Sequence, residues 1–327
     1  MQKLDKKDMA ILYQLELDAR MPLSKIAKKV KLSKQVVKYR IDRLVKNNVI
    51  EKFVLMTNSP KLGYLAYKFY IQLQNITERQ QNNLIKELNK DPYLMWIVTC
   101  DGKYDMIIAP IAKNNVHAHK IQNELLTKYK KYIKTLLPLN YIDARHQKRS
   151  YIIDEKRKDF YAPFWGNEPE NYKLDKYEIK ILSILCQDAR KPITEVAQEI
   201  GCSVDIVHNR IKKLTKDKII QGSRIMINKT LLGYEYHKVL LNIRFDTNEE
   251  ENKFFTFLKN ESNIIDVIRM MGTWNFELDI DVRNANEFHN IMMRLKNNFS
   301  KNIQDYESLL IFKEHKYDFF PLKEKFN

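Results

Sequence analysis

Sliding the chain along itself by 170 residues lays 17–44, LDARMPLSKIAKKVKLSKQVVKYRIDRL, onto 187–214, QDARKPITEVAQEIGCSVDIVHNRIKKL, with no gap. The same offset brings Leu4, Asp5, Ile50, Leu62, Gly63 and Tyr64 onto Leu174, Asp175, Ile220, Leu232, Gly233 and Tyr234, and later Gly102 onto Gly272. A constant period over such a length means tandem copies of one folding unit. Each copy runs to roughly 140 residues, which is one domain of modal size or two small ones. Residues 145–171 lie between the copies. Their charge clusters, two prolines and lone Gly166 read as a connector, and Tyr161, Phe164 and Trp165 predict that part of it packs as an ordered strap.

Charge narrows the partner. Lysine and arginine number 57 against 41 acidic residues in 327, a formal charge of +16, which favours nucleic acid or an anionic membrane surface. No stretch approaches the roughly 18 consecutive apolar residues of a membrane span, and no apolar run of signal type opens the chain. A cytoplasmic protein with no membrane partner is expected. Cys100, Cys186 and Cys202 are too few and scattered for a disulfide framework or a zinc site, and are expected to be buried and inert.

Each copy opens with a helix signature: Asp5 or Asp175 as N-cap with Asp8 or Glu178 three residues on, then an apolar stripe through Ile11, Leu12 and Leu15 or Ile181, Leu182 and Leu185. Pro22 and Pro192 suit the start of a second, short helix. A turn of about three residues then leads to Ser33 or Ser203, good caps for a third helix; two short helices joined so tightly are a helix-turn-helix. In the third helix Val37, Ile41 and Leu44 face inward, which turns Lys34, Gln35, Lys38, Tyr39, Asp42, Arg43 and Lys46 outward and leaves Arg40 on the flank. Phosphate-binding Lys and Arg beside base-reading Gln35 point to double-stranded DNA. The DNA-facing set is therefore Ser33, Lys34, Gln35, Lys38, Tyr39, Arg40, Arg43 and Lys46, with Ser203, His208, Asn209, Arg210, Lys212 and Lys213 in the second copy. Residues 1–70 hold 16 basic against 6 acidic residues, whereas 170–240 hold 13 against 9. The first copy is thus expected to carry most of the phosphate affinity.

After Gly63 and Gly233 the apolar period changes from 3.6 to 2. Strand-like VIEKFVLM and IIQGSRIMI suit a wing beside the helices. Then come strand, helix, strand, strand, helix and strand, the split βαβ order of a ferredoxin-like domain. The expected fold class is α+β: two copies of a (winged) helix-turn-helix followed by a ferredoxin-like βαββαβ effector domain. The domains fall at 1–60 and 61–144, the connector at 145–171, and the second pair at 172–230 and 231–327, the last with a C-terminal tail.

LDKKDMAIL, the DAR triplets, S-x-x-V-x-x-R-I-x-x-L at Ser33 to Leu44 and DGKYD before an apolar strand resemble the Lrp/AsnC family, the feast/famine transcription regulators of bacteria and archaea. The resemblance covers nearly all of both copies. It implies a DNA-binding head, an effector domain that dimerises through its sheet, and an amino acid or related metabolite sensed at a glycine-containing loop. That loop is Asp101, Gly102, Lys103, Tyr104 and Asp105, and in the second copy Met271, Gly272, Thr273, Trp274 and Asn275. The candidate effector residues are Asp101, Gly102, Tyr104, Asp105, Gly272 and Trp274. Family members carry one copy per chain; two in one chain imply an intramolecular pseudo-dimer, with room for further homo-oligomerisation. Siroheme decarboxylases resemble this two-module architecture too, and a sequence-tolerant architectural DNA protein fits the charge. His117 and His119 sit two apart, on different helix faces, and His237 and His289 stand alone, so no metal site is expected. No phosphate-cradling glycine loop, nucleophile elbow or HExxH is present. The sequence therefore predicts a regulator without cofactor, not an enzyme.

Overall fold

The caps foreseen in the sequence start the helices. In the computed structural model, which describes residues 4–153, 164–166 and 168–321, Asp5 accepts from the Asp8 amide and Asp8 reciprocates at α1 (Lys6–Leu17). Asp175 and Glu178 repeat the exchange at α6 (Lys176–Leu185). Helices α2 (Leu23–Val30) and α7 (Ile193–Ile200) stop at left-handed Lys31 and Gly201. Two residues later Ser33 and Ser203 cap α3 (Lys34–Lys46) and α8 (Val204–Lys216). Each trio is a helix-turn-helix head.

Copy one continues with β1 (Ile50–Thr57), β2 (Leu65–Leu73), α4 (Glu78–Leu88), β3 (Leu94–Asp101), β4 (Met106–Ala112), α5 (Asn115–Lys128) and β5 (Ile133–His146). The connector adds a short strand, β6 (Phe164–Gly166). Copy two continues with β7 (Ile220–Ile227), β8 (Glu235–Ile243), α9 (Asn248–Asn260), β9 (Ile264–Met271), β10 (Phe276–Val282), α10 (Ala285–Phe299) and β11 (Ile303–Tyr317).

The strands of the two copies close on one another. The sheet runs β2-β4-β3-β11-β8-β10-β9-β5, and β5 pairs again with β2. Eight strands therefore form an antiparallel barrel with no free edge, which removes the usual liability of exposed strand edges. Closure depends on two long strands. Ile133 to Asn140 of β5 lie along β2, and Asn140 to His146 cross to β9 of the other copy. Strand β11 does the same between β8 and β3. Helices α4 and α5 cover one outer face over Phe69, Ile97 and Ile108, and α9 and α10 cover the other over Val239, Leu278 and Ile280.

Strands β1 and β7, expected as wings beside the helices, follow α3 and α8 and also pair antiparallel with each other from Ile50↔Ile227 to Thr57↔Ile220. Each head thereby packs on the other copy: head one gathers Ile225, Ile227, Tyr234 and Ile265, and head two gathers Val54, Leu55 and Met56. In the connector, Trp165 is buried edge-on against Tyr141, ring centroids 4.6 Å apart, while Tyr161 lies outside the described residues. Among the described residues no helix is long and apolar enough to cross a membrane.

The lumen of the barrel is charged. Lys68 and Lys238, repeat-related residues, both donate to Glu277 Oε1, and Lys238 also reaches Asp279 Oδ1. Tyr70 donates to the other Glu277 oxygen, and Tyr236 donates to Asp279 at 2.7 Å. Burial raises the Glu277 carboxyl, but Lys238 and Lys68 outweigh it and bring the group down to about 2. Lys68, sharing its one carboxylate, is lowered by burial, and Asp279 is raised by the same cause. Glu277→Gln leaves two buried ammonium groups on one remaining carboxylate and is expected to destabilise the fold by about 3–5 kcal/mol at neutral pH. A carboxyl lowered on folding stabilises above its unfolded pKa and loses that contribution as pH falls. The gap between wild type and Glu277→Gln in urea melts should therefore be full above pH 4.5 and close towards pH 2.

Candidate nucleic-acid interface and effector loops

The DAR triplets that mark the repeat are a clasp. The Arg20 guanidinium donates through Nη1 to the carbonyl oxygens of Ala189 and, at 3.3 Å, Lys191. Arg190 Nη1 returns the contact to Ala19 at 2.6 Å and Met21 at 3.2 Å. Asp18 and Asp188 each accept the amide of their own arginine and hold the turn. Ala19 and Ala189 donate their amides to Ser223 on β7 and Phe53 on β1. Burial lowers both guanidinium groups, yet four carbonyl contacts across the pseudo-two-fold axis tie the heads together. The repetition of the triplet was the signal for this role.

On α3, Lys34, Gln35, Lys38, Tyr39 and Lys46 are exposed, Tyr39 at 66%. An aromatic ring so bare on a helix surface has no packing role. Arg40 is differently placed: Nη1 lies 2.7 Å from Asp5 and 2.8 Å from Asp8, and Arg43 Nη2 lies 2.6 Å from Asp8. These two arginines brace α3 against α1, and Ser33 is used as the cap. On α8, His208, Asn209 and Lys212 are exposed, while Arg210 pairs with Asp175 at 2.8 Å and Lys213 with Glu178 at 2.8 Å. Ser203 is again the cap.

The helix before each recognition helix adds a contrast. Exposed Lys25, Lys28 and Lys29 on α2 correspond to exposed Glu195, Gln198 and Glu199 on α7. Head one thus adds three exposed lysines on α2 where head two has two carboxylates and an amide.

The loops at 101–105 and 271–275 meet the opposite copy. Gly102, at φ +125°, sits where a Cβ would come within 3.0 Å of Leu309 and 3.1 Å of the Ser308 carbonyl. Gly272, at φ +147°, has Leu139 in the same place. Tyr104 and Trp274 are buried, and Lys103 Nζ lies 5.8 Å from the first ring and 5.6 Å from the second. Asp105 accepts the Leu73 amide at 2.7 Å, and Asn275 accepts the Ile243 amide at 3.0 Å. Asp101 and Lys103 remain exposed at the tip.

His117 packs edge-on against Tyr93, His119 contacts Asn123, and His237 stacks on Phe288. Among the described residues no three His, Cys, Asp or Glu side chains are grouped to hold a metal ion. Burial pushes the Cys100 thiol up to about 12. The sequence reading missed a buried network under head one, in which Glu16 accepts from Arg149 and Arg224 at 2.6 and 2.8 Å. Its signal was present: these are positions where the two copies exchange charged for apolar residues.

Two helix-turn-helix heads carried on one closed barrel define a two-headed helix-turn-helix protein. Residues 4–45 and 174–215 both match the AsnC-type helix-turn-helix domain. The HTH-type transcriptional regulator Ptr1 of Methanocaldococcus jannaschii is 38% identical over 104 residues, 31% of this chain and 68% of that protein. The regulatory protein AsnC of Haemophilus influenzae is 25% identical over 121 residues, 37% of this chain and 80% of that protein. The chain belongs to the Lrp/AsnC family of helix-turn-helix regulators, with the family unit duplicated within it.

A further likeness extends over the whole length. The siroheme decarboxylase NirDL superposes with a TM-score of 0.61 at 12% identity, covering 98% of this chain and 97% of that one. At this identity the likeness is one of fold. It nevertheless corrects the expectation that the chain is not an enzyme, because the fold over its whole length is also that of a decarboxylase.

Replacing Arg20 and Arg190 by alanine should loosen the clasp at about 1.5–3 kcal/mol for each charged donor removed. Hydrogen exchange is expected to quicken at the Ala19 and Ala189 amides and leave α10 unchanged.

Proposed function

We propose that the chain regulates transcription as an asymmetric reader of double-stranded DNA, with head one supplying most of the affinity. The observation that carries this reading is the exposed face of α3, where Lys34, Lys38 and Lys46 surround Gln35 and the bare ring of Tyr39, extended by the lysines of α2. Lysines at such a face take phosphates and fix register, and Gln35 has the geometry to read adenine in the major groove. Arg40, Arg43, Arg210 and Lys213 act by bracing their helices, with Ser33 and Ser203 as caps. Head two contributes His208, Asn209 and Lys212 beside an acidic α7, so its contacts are fewer and its preference differs. The fused pair replaces the usual dimer, and heads one helical turn apart would read adjacent major-groove segments. The operator need not be palindromic.

An amino-acid effector fits the tips of the effector loops better than their bases. Exposed Asp101 and Lys103 offer opposite charges to an ammonium and a carboxylate, whereas Tyr104, Asp105, Trp274 and Asn275 are engaged in the fold. The second loop carries Met271 and Thr273 at the corresponding points, so the two tips are not equivalent.

Binding of the purified chain to its own upstream DNA and to a scrambled duplex, followed by anisotropy across a salt series, tests the reading. Preference for the native fragment is expected. Lys34→Ala with Lys38→Ala should weaken binding and reduce the salt slope by about 2, and His208→Ala with Asn209→Ala should cost less. Equal binding to both duplexes would point to an architectural protein. No binding at physiological salt would count against a regulator and call for a tetrapyrrole assay.

A further inference from the structure

No strand of the barrel is an edge strand, yet its two long strands overrun the neighbours they leave. Strand β5 parts from β2 after Asn140 and runs on beside β9, and β11 parts from β8 after Ile311 and runs on beside β3. Each therefore has one side without a barrel partner, at residues 143–145 in copy one and at the repeat-related 313–315 in copy two. A strand side of this kind is a template on which another extended chain can pair.

In copy one the connector fills that side. Strand β6 lies antiparallel along it, with Gly166 opposite Asp143, Trp165 opposite Ala144 and Phe164 opposite Arg145. Asn58 fastens the strand, donating to the Gly166 carbonyl at 3.2 Å and accepting the Gly166 amide at 3.4 Å. The connector then follows the next turn, where Glu170 donates its amide to Pro60 and Tyr172 to Lys61. A Cβ on Gly166, at φ +141°, would come within 2.6 Å of the Asp143 Cβ, so only glycine fits there.

In copy two the same seat is open. Residues 228–231, the repeat images of 58–61, line a groove of about 510 Å³ together with 310–314 of β11. Among the described residues no strand lies along this side of β11. Asn58, Pro60 and Asp143 are buried under the connector, whereas Asn228 is half-buried and Thr230 and Lys313 are exposed. Phe312 stands 64% bare beside them. The groove is also acidic, in a chain of formal charge +16. Glu51, Glu235 and Glu314 line it against Lys229 and Lys313, and Lys229 already pairs with Asp281 at 3.3 Å. Partial burial, with Glu314 close by, raises the Glu51 carboxyl.

We propose that this open side of β11 docks a partner protein through an extended basic segment, which adds to the barrel as β6 does in copy one. Main-chain pairing supplies the affinity of such an addition and alternate side chains its selectivity. On the pattern of β6, a glycine of the segment lies opposite Lys313, and an aromatic residue before it lies toward Ile311, as Trp165 lies toward Tyr141. Flanking Lys or Arg residues meet Glu51 and Glu235. The occupant is protein because an acidic groove repels nucleic acid, and it is a segment because a three-residue strand, not a folded edge, takes the seat in copy one. Asn48 and Glu51 follow α3 closely, so the partner is held beside the recognition helix of head one. The site does not rest on DNA binding.

Anisotropy titration of the full chain without DNA, using the labelled peptide KFWGK acetylated and amidated at its ends, tests the site. One-to-one binding is expected, with hydrogen exchange slowed within residues 312–316 and unchanged at 143–145. The peptide EFWGE should bind about tenfold or more weakly through like charge, and KFWGK methylated at its Phe, Trp and Gly amides about tenfold or more weakly through lost pairing. Glu51→Lys with Glu235→Lys should cost KFWGK about tenfold. Thr230→Trp, made at an exposed position of the groove, should abolish binding. No binding of KFWGK, equal affinity for KFWGK and EFWGE, undiminished binding of the methylated peptide, binding that survives Thr230→Trp, or slowed exchange at 143–145 instead would each overturn the proposal. Light scattering on the same samples checks the other occupant: a dimer that Thr230→Trp dissociates would assign the edge to a second copy and overturn it as well. None of these outcomes alters the DNA titration, so the two readings fail separately.

Discussion

Lys68 and Lys238 occupy one position of the repeat, and closing the barrel brings them together on the pseudo-two-fold axis over a single carboxylate, Glu277. Two ammonium groups so close in a low-dielectric interior repel strongly, and only a shared counter-ion makes the arrangement tolerable. Copy one offers Ile107 and Ala109 where copy two offers Glu277 and Asp279. The halves thus need each other: one brings a lysine, and the other a lysine and both acids. The crossing of β5 and β11, the pairing of β1 with β7 and the exchange of heads between copies all presuppose that this axis is filled.

On that frame the heads are alike in backbone and unlike in surface. Ser33 and Ser203 cap equivalent helices, and Arg20 and Arg190 make equivalent contacts, yet the preceding helix is basic in one head and acidic in the other. The proposal that one head supplies most of the affinity rests on that contrast. The full-length likeness in fold to a siroheme decarboxylase shows how far this scaffold reaches beyond DNA. The chain's family comes from its heads, where the sequence match is repeated.

Much of this was legible in residue order because it is local. Val37, Ile41 and Leu44 face inward as their spacing requires, and Thr77 with Gln80 caps α4. The order of strands and helices named the ferredoxin-like unit. What escaped was the identity of partners across long separations, since periodicity records which face is buried and not against what. The wing reading of β1 left its partner open in this way, because strand character alone does not show that the partner lies in the other copy. A clue to closure was the length of β5, whose 14 residues far exceed the usual strand of about five or six. Helical geometry put Arg43 outward and Arg40 on the flank, but their long side chains reach back to Asp5 and Asp8, which a wheel projection does not show.

The fusion of the copies has a genetic consequence. In a symmetric homodimer every substitution occurs twice, so an acid beside the axis arrives as two acids, and a charge beneath one head also lies beneath the other. Here each position on the axis can be changed once. Glu277 could be gained while Ile107 stayed, and the ionic socket under head one could arise while Val54 and Trp96 kept their places under head two. Covalent linkage also means that dilution cannot separate the halves or shuffle them between molecules, so each specialised half always keeps the partner it diverged beside.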